Sequence, residues 1–195
     1  MLYTLTVGQY QMLNEIDEDL SMIEQNIYAV AALKNMTYEE ASQIRMKDFA
    51  SIIDDVEGID IRQLEKRKIN SSIKLNGIDF HIEHRPDKLT SGQILDIINI
   101  RSKHTGESIA VMDLIMAAIC RPKDGEYGGD KMTLHERAKY CRDVKVADVW
   151  NVFVFFWNLW NNYLNDSEDS LKTWMEETPR KAMEILDNGG DSSAS

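Results

Sequence analysis

The groups that could carry chemistry are few in this chain, and their spacing argues against a catalytic or metal centre. His81 and His84 lie three apart in a stretch of alternating apolar residues, so on a strand they face opposite sides and cannot share a metal. His104 and His135 lack a second ligand at a workable spacing. Glu107 and Asp113 are single acids beside or on a helical pattern, where carboxylates are ordinarily solvated. Asp124-Gly125-Glu126 opens like a calcium loop, but the further acidic ligands and the terminal glutamate are missing. Cys120 and Cys141 each fall in a helical pattern and read as buried thiols of a reducing compartment, not as a disulfide or metal pair. No nucleophile stands beside a base, and no lysine-bearing phosphate loop occurs. The expectation is a chain that is not an enzyme and needs no metal or cofactor.

What the chain offers instead is apolar surface. Ten methionines are spread along it, and Ala147 to Asn165 holds three of the four tryptophans and three of the five phenylalanines. A membrane span needs about 20 mostly apolar residues. Here Asp148, Asn151, Asn158, Asn161, Asn162 and Asn165 interrupt the run, and all but Asn161 fall near one line of a helix. The stretch therefore reads as a helix wetted along a narrow stripe and buried elsewhere, in the core or against a partner. Trp150, Phe153, Trp157 and Trp160 are its candidate partner-binding residues, since Met and aromatic side chains are enriched at adaptable binding surfaces.

The elements that must position these residues follow from caps and periods. Leu5-Thr6-Val7-Gly8-Gln9 starts a helix with a capping box, Thr6 with Gln9, and Tyr10, Leu13 and Ile16 give it an apolar face. A second helix, roughly 18 to 34, places Leu20, Ile23, Ile27, Val30 and Ala31 on one face. Thr37 and Glu40 cap a short helix, and another runs from about Lys47 to Val56, ended by Gly58. The period then changes to two. Asn76-Gly77 joins Ile69–Leu75 to Ile78–His84 in a hairpin whose type I′ turn needs positive φ at both central residues.

Leu89-Thr90-Ser91-Gly92-Gln93 repeats the first motif and opens a helix through Ile94, Ile97, Ile98 and Arg101. Glycine is a poor helix former, so its double appearance predicts that another backbone or side chain comes close at Gly8 and Gly92. Gly8, Gln9, Gly92 and Gln93 join the candidate partner-binding set; a nucleotide or other anion at these helix starts is the enzyme-class alternative. A helix over 108–120 stopped by Pro122, a glycine-rich flexible loop over Lys123–Lys131, a Thr133–Glu136 capping box and the aromatic helix come next. Ser167 to Leu186 is a weaker amphipathic stretch, and Asp187–Ser195 reads as a disordered tail.

The chain is therefore expected to be mainly α with a small β-hairpin, a helical bundle around a central aromatic helix. It divides into a helical region 1–60, a hairpin plus helical core 61–165, a segment 166–187 and a tail 188–195. The net charge of −11 argues against nucleic-acid binding, which runs on phosphate neutralisation by Lys and Arg. Residues 1–68 carry 7 basic and 13 acidic groups, 69–146 carry 12 and 11, and 147–195 carry 3 and 9. The one basic cluster, Arg62 to Lys68, reads as a solvated linker. Met1–Thr4 runs into the first helix with no leader pattern, so a soluble intracellular protein is expected.

The order of these motifs resembles the tail assembly chaperones of tailed bacteriophages. The resemblance rests on the Leu5–Gln9 helix start, the hairpin and the element Asp87-Lys88-Leu89-Thr90-Ser91-Gly92-Gln93. It continues through the helix ending at Arg121-Pro122 and the Glu-Arg-Ala-x-x-x-Arg-Asp element Glu136–Asp143, and ends in the aromatic helix. It implies a non-enzymatic protein of the host cytoplasm that binds the tape measure protein, or another tail protein, during tail morphogenesis and is absent from the virion. A structural connector component is the other reading, with the aromatic helix buried in a homo-oligomeric ring.

Overall fold

In the computed structural model, residues 2–57, 60–64, 70–83, 88–104, 108–129 and 131–166 are described. Among them the chain is mainly α with a small antiparallel sheet. It divides into two compact units, Met1–Val154 and Phe155–Ser195. The first takes in the 1–60 region and most of 61–165.

Five helix starts are built the same way. Thr6, Ser21, Thr37, Thr90 and Thr133 each accept from the amide three residues on, while the Gln or Glu there returns the bond to the cap's own N–H. They open α1 (Val7–Asn14), α2 (Met22–Lys34), α3 (Tyr38–Ser42), α5 (Ser91–Lys103) and α7 (Leu134–Cys141), with α4 (Met46–Glu57) following α3. The Ser21–Glu24 box corrects the expected start of α2 at about residue 18: once Ser21 caps, the preceding residues are free to turn. The buried part of α2 is the stretch Ala29–Ala32 near its end, which includes Val30 and Ala31 as expected, with Ile27 packed against that core. Ile23, expected to be buried, is 51% exposed. Val30, Ala31, Ala41 and Phe49 close a small core between α2, α3 and α4.

The hairpin forms as the period of two requires, with β1 (Ser72–Leu75) and β2 (Ile78–Ile82) in antiparallel register, Leu75 opposite Ile78. Asn76 and Gly77 take φ of 46° and 79°, the two positive values of the type I′ turn. A third strand, β3 (Cys120–Pro122), pairs with β2 and was not expected. The helix before it, α6 (Met112–Ile119), follows a 3₁₀ turn over Ile109–Val111 and stops when Cys120 turns to an extended conformation. Pro122 at the end of this three-residue strand disfavours the α region for Arg121, which helps to keep the segment after the helix extended. The apolar face of α6 is buried as expected, at Met112, Ile115, Met116 and Ile119.

The loop after β3, expected to be flexible, is held at Tyr127, whose hydroxyl donates to Asp96 of α5. The aromatic helix, α8 (Val146–Asp166), runs through the boundary at Val154. His84, Glu107, the end of the basic cluster, Ser167–Leu186 and the tail lie outside the described residues. No described helix is long and apolar enough to cross a membrane.

Candidate functional site

The repeated motif has one structural meaning in both copies. The Oε1 atoms of Gln9 and Gln93 accept from the amides of Thr6 and Thr90, at 3.0 and 3.1 Å. Their amide nitrogens donate elsewhere: Gln9 to Leu33 O at 2.8 Å, near the end of α2, and Gln93 to Ala118 O at 3.0 Å, near the end of α6. Each glutamine thus caps its own helix and fastens that helix's start to the end of the following one. Gln93 is fully buried. The glycines meet the close approach expected of them. A Cβ at Gly8 would lie 3.3 Å from the carbonyl oxygen of Arg142, and one at Gly92 3.4 Å from the Tyr127 ring. All four residues make their contacts within the chain.

The aromatic helix divides by position. Trp150 and Phe153 are buried, with Trp150 edge-on to Tyr10 of α1 at 5.7 Å between ring centres. Trp157 is half-buried in the second unit, where Phe155 and Phe156 meet edge-on. Trp160 stands in the same helix, and its side chain lies outside the described set. Of the polar stripe, Asp148 and Asn151 are half-buried and Asn158 is exposed.

A polar centre that the sequence did not reveal lies where α1, α6 and α7 meet. Asp113, expected to be solvated, is 8% exposed. Its Oδ1 accepts from Gln11 Nε2 at 2.9 Å and from its neighbour's amide, while Oδ2 lies 3.7 Å from the Arg142 guanidinium. Gln11 also donates to the carbonyls of Ile109 and Ala110. Arg137 is 1% exposed; it donates to Ala117 O at 2.9 Å and lies 4.9 Å from the Tyr127 ring centre. Cation–π attraction offsets part of the cost of burying that charge. Burial, Asp96 and its hydrogen bond raise the Tyr127 hydroxyl well above its usual range. Burial also pushes the Cys141 thiol up to about 12, and the Cys120 thiol rises for the same reason. Neither is an activated nucleophile.

The Glu136–Asp143 element is thereby explained: Glu136 caps α7, Arg137 and Ala138 are buried, and Arg142 reaches Asp113 and Gly8. These residues serve the fold.

Two of the open clefts among the described residues of the first unit bear on function. One, of about 580 Å³, runs beside the outer edge of β1 and brings together Lys74, Lys145, Asp143 and Asp148 with no nucleophile–base pair. The other, of about 430 Å³, lies between α1 and α2 over Tyr10, Leu13, Ile16 and Ala29. Among the described residues no cluster of three or more His, Cys, Asp or Glu could hold a metal. No family model, curated protein or solved structure matches this chain.

Proposed function

We propose that this chain is a chaperone of phage tail assembly that binds the tape measure protein while the tail tube grows. The observation that carries this reading is the ordered motif set, from Leu5–Gln9 through the hairpin and Asp87–Gln93 to Glu136–Asp143 and the aromatic helix. Exposed apolar side chains give it a physical basis. Met22 is 78% exposed and Met46 70%, with Ile23 and Tyr28 exposed on α2 as well. Flexible thioethers and amphipathic rings on a charged body suit transient capture of a long helical client. The excess of carboxylates keeps that body soluble while the apolar side chains stay open.

The test is co-expression with the long helical protein encoded beside it. Tagged chain should retain that protein through nuclease treatment, and purified virions should lack the chain by mass spectrometry. A stable ring of the chain alone, retaining no client and found in virions, would sink the proposal in favour of the connector.

A further inference from the structure

We propose that the groove between α1 and α2 is the docking site for an amphipathic helix carrying lysine or arginine beside its apolar stripe. Its apolar floor residues are Tyr10 and Leu13 from α1, Ile16 just beyond it, and Ala29 from α2, and Asn14, Gln25 and Asn26 line it as well, around a space of about 430 Å³. That floor is held from behind, since Tyr10 stands edge-on to the buried Trp150. Met22 is 78% exposed and shares a helix face, by three- and four-residue steps, with Gln25, Asn26 and Ala29 that line the groove. The apolar floor thus continues to a flexible apolar side chain at the lip.

The sign of the charge chooses the occupant. The first 33 residues contain five carboxylates and no lysine, arginine or histidine. Glu15, Asp17, Glu18 and Asp19 are all exposed on the α1–α2 connection, and Glu18 itself lines the groove. The connection is well ordered by bonds of its own: Gln25 Nε2 donates to the carbonyls of Glu18 and Leu20, and the Asp19 amide donates to Asp17 Oδ1. A fixed acidic rim over an apolar floor attracts a basic amphipathic helix and repels nucleic acid and anionic lipid. This deepens the chaperone reading and rests on it for the client's identity, while the groove's chemistry stands on the residues above.

The test uses a fluorescent synthetic peptide with leucines at i, i+3 and i+4 and lysines elsewhere, against its leucine–glutamate counterpart, followed by anisotropy. The lysine peptide should bind, and Asn26→Arg and Met22→Lys should each weaken it about tenfold. Met22 is so exposed that its variant keeps the fold if Asn26→Arg does not, and circular dichroism checks both. Glu39→Gln and Asp54→Asn, which remove exposed charges elsewhere, should bind like the parent. Equal weakening by all four variants, equal binding of the glutamate peptide, or a self-associated parent that Met22→Lys turns into a monomer without peptide binding would overturn the proposal. Repeating tape-measure capture with Met22→Lys separates the two readings. Undiminished capture sinks the groove and keeps the chaperone; groove binding of the lysine peptide without any capture does the reverse.

Discussion

Glutamine and glutamate are both good partners in a capping box, yet the five boxes do not use them at random. Glu24, Glu40 and Glu136 sit at exposed boxes, where the side chain only has to accept. Gln9 and Gln93 sit where the same side chain must also donate, to Leu33 O and Ala118 O. A carboxylate can cap but has no proton to give, and at position 93 it would bring a charge into a fully buried site. Gln93→Glu should therefore cost about 2–4 kcal/mol in urea unfolding, since Ala118 O loses its partner and the new charge is poorly solvated. Glu136→Gln, an exposed exchange that keeps an acceptor and loses only a solvent-screened charge, should move the midpoint far less. Equal losses at both positions would show that the second bond of Gln93 contributes nothing. The T-x-G-Q repeat was legible as a helix start with a crowded glycine; the second bond was not, because Ala118 lies 25 residues further along the chain.

At the scale of the element, two boxes carry a pH dependence that the glutamine boxes lack. The Glu24 and Glu136 carboxyls are held below their ordinary value of 4.5, Glu24 first by the Ser21 side chain and Glu136 first by the Thr133 amide. A depressed folded pKa means the support is complete above 4.5 and is lost as pH falls through the folded value. Protection factors for the Glu24 and Glu136 amides should drop across that acid window, while the Gln93 amide should hold its protection. If all three fall in step, the helices melt with the whole unit and the caps carry no separate dependence. Local chemistry of this kind is what the sequence displays openly: four of the five boxes and the Asn-Gly turn were readable. β3 was hidden because three residues after a helix show no alternation, and its pairing depends on β2, about 40 residues earlier. Asp113 and Gln11 were hidden for a related reason. Their burial is decided by a partner 102 residues away, which no spacing rule reports.

The whole first unit is closed by bonds between its beginning and its end. Val7 and Gly8 donate their amides to Val144 O and Arg142 O at 2.8 and 2.9 Å, and Val146 donates back to Leu5 O at 2.8 Å. Leu5 and Val7 are at most 1% exposed, and Gln11 ties α1 to the start of α6. The entry of the aromatic helix is thus fixed by the start of α1, the helix whose Tyr10 and Leu13 also supply one wall of the acidic groove. Burying a Leu and a Val contributes about 1.5–3 kcal/mol each, and the three backbone bonds add about 1 kcal/mol each. Together these fall within the 5–15 kcal/mol that holds a typical domain folded. Removing residues 1–8 should accordingly strip hydrogen-exchange protection from α6, although α6 lies more than a hundred residues away in sequence. Were α1 and its neighbours an independent helical lobe, the α6 amides would stay protected and only local helix signal would disappear. Loss of protection across α6 and α7 together would instead show that the chain's first turn is part of the same cooperative structure.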